Sequence, residues 1–111
     1  MESKLAVAAL GALAHETRLE VFRLLVRAVA GGLSVGRIAE GLGVEANGRL
    51  SFHLKELVGA GLVSSRQEGR FIYYSTNYSA MNDLLRYLTE DCCGGLGCSE
   101  VVDTCNPEKC T

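Results

Sequence analysis

Residues 34–75 carry the pattern that most restricts the fold. Ser34 is a good N-cap for a short helix over Val35–Leu42, with Ile38, Ala39 and Leu42 at its inward positions and Gly43 ending it. A second helix starts near Asn47, its apolar stripe being Leu50, Leu54, Leu57 and Val58, and Gly59-Ala60-Gly61 closes it. Asn47-Gly48 is also a hairpin-turn signal. A glycine inside a helix costs about 1 kcal/mol relative to alanine, less in the first turn, so the periodicity prevails and the helix begins there. Two short helices across a tight glycine-bearing turn make a helix-turn-helix. Two alternating β-rich runs follow, Leu62–Gln67 and Arg70–Ser75, joined across Glu68-Gly69 as a hairpin. The expected fold is mainly α with a β-hairpin wing, a winged helix-turn-helix.

Helices are expected on both flanks. Residues 3–13 read as an Ala- and Leu-rich helix whose apolar face is broader than one core contact requires. Burial against a second copy of the chain explains that breadth, and an ordinary packed N-terminal helix explains the segment equally well. Glu16–Ala30 carries Leu19, Phe22, Leu25, Val26 and Val29 at spacings of three and four, with Arg18, Arg23 and Arg27 turned away and Gly31-Gly32 as the stop. A last helix runs from Asn77 or Ser79 to Thr89, with Met81, Leu84, Leu85 and Leu88 as its stripe. At 111 residues the chain has the length of one domain. It divides into a DNA-binding and dimerisation part at 1–91 and a cysteine-rich tail at 92–111. The segment Leu5–Ala14 imitates a secretory leader, but Glu2 spoils the basic start and the helical pattern runs on into Thr17–Phe22. No apolar run approaches the roughly 18 residues of a membrane span.

A net charge of −2 argues against a nucleic-acid partner until its distribution is considered. Residues 1–88 carry ten Lys/Arg against eight Asp/Glu, and residues 89–111 one Lys against five acids. The body is mildly basic and the tail acidic. On the second helix of the pair, Gly48, Phe52 and Lys55 lie opposite the leucine stripe, flanked by Arg49, Ser51 and Glu56, and His53 borders the stripe, where a partly buried, hydrogen-bonded imidazole is commoner than a metal ligand. That outer face suits a major groove: Gly48 allows close backbone approach, Ser51 donates or accepts, and Arg49 and Lys55 reach phosphates or guanine edges. An exposed Phe52 needs a partner, either thymine methyl groups or the wing. Arg66 and Arg70 flank the hairpin tip, where they meet DNA backbone or stay solvated. The capping residues Ser34 and Asn47 complete the set of candidate DNA contacts.

All five cysteines fall at Cys92, Cys93, Cys98, Cys105 and Cys110. A secreted disulfide scaffold would spread its bridges over the fold, so a reducing cytoplasm is the expected compartment. Thiolates are soft donors that select soft acceptors. Glycines at 94, 95 and 97 let the backbone loop so that Cys98 joins Cys92 and Cys93. Three thiolates with no fourth donor suit pyramidal trivalent arsenic, As(III), or antimony, Sb(III). Zinc prefers four ligands, and Cys105 or Cys110 could supply one, although the spacing lacks the paired C-x2-C knuckle. A thiol redox switch built on the vicinal pair is a further alternative. A catalytic cysteine is disfavoured, because there is no anion-cradling loop and an acidic tail raises thiol pKa values.

The run Leu13–Leu25 (LAHETRLEVFRLL), with Ser51–Leu57 (SFHLKEL), Ala60–Val63 (AGLV) and Glu68–Tyr74 (EGRFIYY), resembles the ArsR family of metal-sensing repressors over about residues 5–90. The resemblance implies a winged-helix homodimer, paired through its first and last helices, that represses an operon until an inducer binds. Family members differ in where their sensor ligands sit. Here Val35–Leu42 has no cysteine and Ser79–Thr89 no histidine, so two of the family's familiar sites are absent. Cys92, Cys93 and Cys98 look like the arsenite site of a subgroup that places it just after the last helix. Cys105 and Cys110 depart from that subgroup's minimal pattern, and they could form a second site or replace members of the trio. Sensing of zinc, cadmium or methylated arsenicals stays open beside arsenite.

Overall fold

The computed structural model describes residues 1–28 and 31–90. Five helices and a three-stranded antiparallel sheet follow one another as α1 (Ser3–Leu13), α2 (Glu16–Arg27), β1 (Leu33–Ser34), α3 (Val35–Leu42), α4 (Gly48–Gly59), β2 (Val63–Glu68), β3 (Phe71–Thr76) and α5 (Tyr78–Thr89). This is the expected winged helix-turn-helix. No described helix is long and apolar enough to cross a membrane.

The core gathers around α2, which packs against α1, α3, α4 and β3. Val21, Phe22 and Leu25 of α2 are buried with Ile38 of α3, Leu50, Leu54 and Leu57 of α4, and Leu62. Ala6, Ala9 and Ala12 are the buried residues of α1; their short side chains let that helix lie close to its neighbours. The stripe expected on α2 is out of phase at one position. Leu19 is exposed, and Val21, two residues further on and four before Leu25, is fully buried. Contact on several sides of α2 rotates its buried face away from the one the heptad-like spacing suggests. Val29 and Ala30, assigned to this helix by pattern, lie outside the described residues.

Caps set the helix-turn-helix. Ser34 Oγ accepts the Arg37 N–H at 3.4 Å. Gly43, at φ +69°, terminates α3 in the left-handed conformation and donates to the Ala39 and Glu40 carbonyls. Asn47 Oδ1 accepts from the Arg49 and Leu50 N–H groups at 3.1 and 3.2 Å. With both donors satisfied, Asn47-Gly48 opens a helix and no hairpin forms there.

The sheet order is β1-β3-β2. β2 pairs with β3 from Val63↔Thr76 to Glu68↔Phe71, so the tip is Gly69-Arg70, one residue later than the sequence suggests. Gly69 takes φ +61° there, a conformation two-residue hairpin turns require. The short strand β1 was not expected. It joins the wing through Leu33↔Tyr74 and Ser34↔Tyr73, fastening the start of the helix-turn-helix to β3. Asn77 Oδ1 accepts from Ala80 N–H to start α5, and the Tyr78 hydroxyl donates to the Val26 carbonyl at 3.4 Å.

Candidate nucleic-acid interface

α4 is the second helix of the helix-turn-helix, the element that enters a major groove in this architecture. Its leucines anchor it inward, which leaves Gly48, Arg49, Ser51, Phe52 and Lys55 exposed. Gly48, Ser51, Phe52, Lys55 and Val58 form one wall of an open cleft of about 630 Å³, and Ser65, Ile72 and Tyr74 of the wing form the other. Helical spacing predicts Gly48, Ser51, Phe52 and Lys55 on this outer face, but it puts Val58 in the inward stripe and does not reach the wing wall. The alternation of β3 was its only available sign, since Ile72 and Tyr74 share one face of that strand.

His53, a candidate DNA contact, is instead the buried, hydrogen-bonded residue that its place beside the stripe also suggests. It is 7% exposed, and its Nδ1 accepts the Nε–H of Arg18 at 3.1 Å. Packed into the α2–α4 contact, it is no longer a side chain that faces a groove. Burial holds its pKa below the usual 6.5, and His15, Arg18 and Arg49 push in the same direction. The His15 ring lies 4.5 Å from the His53 ring, while His15 Nδ1 accepts the Thr17 N–H and so caps α2. Arg18 also lies over the Phe52 ring, 5.6 Å from its centroid, and the His53 ring meets Phe52 edge-on at 6.0 Å. One guanidinium therefore ties α2 to two successive residues of α4. Helical spacing turns Arg18 away from the buried stripe, and no local signal pairs residues 35 apart.

Of the remaining candidates, Arg66, Ser34 and Asn47 make hydrogen bonds within the fold. Arg66 Nη2 donates to the Gly31 carbonyl at 3.2 Å and to Glu68 at 3.3 Å, and its guanidinium sits over Tyr73. Arg70 is exposed at the hairpin tip. Ser34 and Asn47 have their side-chain oxygens committed to caps, and Asn47 is exposed. Among the described residues no three His, Cys, Asp or Glu side chains are grouped to hold a metal ion. Cys92, Cys93, Cys98, Cys105 and Cys110 lie outside the described residues.

A helix-turn-helix with an exposed second helix, backed by a hairpin wing, defines a DNA-binding transcriptional regulator of the winged-helix class. Residues 13–66 match the family model described as a helix-turn-helix domain. No curated protein matches the chain. Among solved structures it is similar to an ArsR-like transcriptional regulator from Rhodococcus sp. RHA1, with 32% identity, a TM-score of 0.67, and coverage of 77% of this chain and 76% of that one. It is similar to HlyU from Vibrio cholerae N16961 at 34% identity and TM-score 0.61, over 79% of this chain and 97% of that one. A possible transcriptional regulator for arsenical resistance is 30% identical, with TM-score 0.62, over 75% of this chain and 81% of that one. The chain belongs to the ArsR-like family of winged-helix transcriptional regulators.

Proposed function

We propose that this protein is an arsenite-responsive repressor. A homodimer paired through α1 and α5 holds two copies of α4 about 34 Å apart, in successive major grooves of a palindromic operator. Arg49, Ser51, Phe52 and Lys55 face the bases and nearby phosphates, with Gly48 allowing close approach; Arg66 and Arg70 meet the flanking backbone. As(III), or Sb(III) by the same chemistry, is captured by Cys92, Cys93 and Cys98 and lowers the affinity for DNA.

The observation that carries this reading is the position of the cysteines. The first follows Thr89, the last residue of α5, by three places, and no cysteine precedes it. Soft thiolates that follow the proposed dimerisation helix so closely in sequence would couple capture of a soft metalloid to the element that sets the spacing of the reading heads. The likeness to a possible transcriptional regulator for arsenical resistance supports an arsenical inducer. Leu5, Val7 and Leu10 of α1 and Leu88 of α5 are exposed apolar side chains on two helices that contact one another, and they support the dimer. Capture releases thiol protons, and thiols stay available for it in a reducing cytoplasm.

The test is a mobility shift of the full chain on its operator across an arsenite titration. Arsenite releases the DNA, serine at Cys92, Cys93 or Cys98 abolishes the release, and the Cys105/Cys110 double serine variant keeps it. Unchanged binding at saturating arsenite removes the sensor assignment. Release by peroxide alone, with none by arsenite, replaces it with a thiol redox switch at the vicinal pair. Linkage adds a second check: operator DNA weakens arsenite binding by the same factor by which arsenite weakens DNA binding.

A further inference from the structure

Phe52 is 52% exposed on the outer face of α4. Exposure alone does not say what covers such a ring, but two side chains hold this one in place. Arg18 covers it at 5.6 Å from the centroid, and the ring of buried His53 is steeply inclined to it, with the centroids 6.0 Å apart. Arg18 is itself fixed by its hydrogen bond to His53. Two groups anchored in the α2–α4 contact thus hold an apolar ring out toward solvent. Arg49 and Lys55 lie one helical turn to either side of it, with Glu56 next along the chain, and Ile72 extends the apolar surface across the cleft.

We infer that Phe52 is a base-reading residue that packs on the 5-methyl group of thymine in the major groove, with Arg18 and His53 as positioning residues. A phenyl ring has no hydrogen-bonding group, so apolar contact is its only means of distinguishing bases, and in the major groove the thymine methyl is the one apolar feature. The flanking cations Arg49 and Lys55 match the phosphates on either side of such a contact. The inference rests on the DNA-binding reading of α4 and is independent of the inducer.

The experiment selects preferred duplexes for the full chain from a random-sequence pool, then replaces each thymine of the selected site singly by deoxyuridine. Uracil lacks only the methyl. At one or two positions in each half-site, the change to uracil weakens binding about fourfold, the factor that burying one methyl-sized group supplies. Phe52→Ala binds thymine and uracil probes equally at those positions, and Phe52→Leu keeps part of the preference. Arg18→Gln lowers the thymine-to-uracil ratio, which a merely structural role would leave unchanged while weakening both probes alike. A selected site indifferent to uracil overturns the inference, as does a Phe52→Ala variant that still prefers thymine. A pool yielding no preferred sequence overturns it together with the base-reading role of α4.

Discussion

His53 Nδ1 accepts the Nε–H of Arg18 across 3.1 Å, joining α4 to α2. The bond needs a lone pair on Nδ1 and therefore a neutral imidazole. Protonation would remove the acceptor and set a cation against a guanidinium that keeps its charge at every pH the fold meets.

That relationship predicts a pH dependence of stability. Burial first, then His15, Arg18 and Arg49, depress the folded-state pKa of His53 below the ordinary 6.5. Between those two values the unfolded chain binds the proton more readily than the folded one. The contribution of His53 is therefore whole above pH 6.5, shrinks as pH falls toward the folded-state pKa, and stays lost below it. Urea unfolding midpoints measured from about pH 7.5 down to about pH 5 should fall more steeply in the wild type than in His53→Asn, which cannot titrate there. Parallel slopes would show that the imidazole is not held neutral.

The α3–turn–α4 unit was legible in the sequence because each boundary has its own chemistry. Ser34, Gly43 and Asn47 act where their side chains or backbone freedom imply, and periodicity correctly outweighed the Asn47-Gly48 turn signal. What went unread depends on distant partners. Leu33 and Ser34 form a strand only because Tyr73 and Tyr74 lie alongside, and a two-residue strand has no pattern of its own. Leu19 and Val21 exchange roles because α2 has neighbours on several sides. The exposed face of α4 was visible from helical spacing, whereas the Arg18 bridge and the wing wall of the cleft need the folded chain.

Gly32 precedes β1 at φ +81°, and a Cβ placed on it would sit 2.6 Å from the Tyr74 carbonyl oxygen. Neither the backbone angle nor that atom can yield cheaply, because Tyr74 is already paired with Leu33. Gly32→Ala should destabilise the fold by about 2–3 kcal/mol. Gly36 is the contrast, a helical position where an added Cβ meets nothing within 4 Å. Gly36→Ala should stabilise by a few tenths to about 1 kcal/mol. Chemical denaturation of the two variants gives opposite signs if the local geometry is right.

Asn77 does two jobs with one amide. Its Oδ1 accepts from Ala80 N–H at 3.2 Å, and its Nδ2 donates to the Gly61 carbonyl at 3.0 Å. The first starts α5 and the second ties that start to the residues after α4. Asn77→Ala should lose about 1–2 kcal/mol. Asn77→Asp keeps the cap and adds a favourable charge at the helix N-terminus, but gives up the donor, so its unfolding midpoint should fall between those of wild type and alanine. An aspartate variant as unstable as the alanine one would assign the effect to the Gly61 bond alone.

α1 is apolar on more than one side. Ala6, Ala9 and Ala12 are buried, while Val7 is 66% exposed, Leu5 56% and Leu10 42%. A helix with apolar residues around most of its circumference is stable in water when a second surface covers it, and in the proposed dimer that surface is the partner's α1 and α5. The double variant Val7→Glu with Leu10→Glu leaves the buried alanines in place, so the single-chain fold should survive with its helical circular dichroism intact. Its association should not. Sedimentation velocity at micromolar concentration should show a dimer for the wild type and a monomer for the variant. Thermal unfolding should depend on concentration only in the wild type, because only there is folding linked to assembly. Operator affinity should fall at least about 100-fold, since two half-sites are no longer engaged by one linked pair of α4 helices. A wild type that sediments as a monomer would leave the exposed face of α1 without its proposed cover, and the two-groove grip would have to be abandoned.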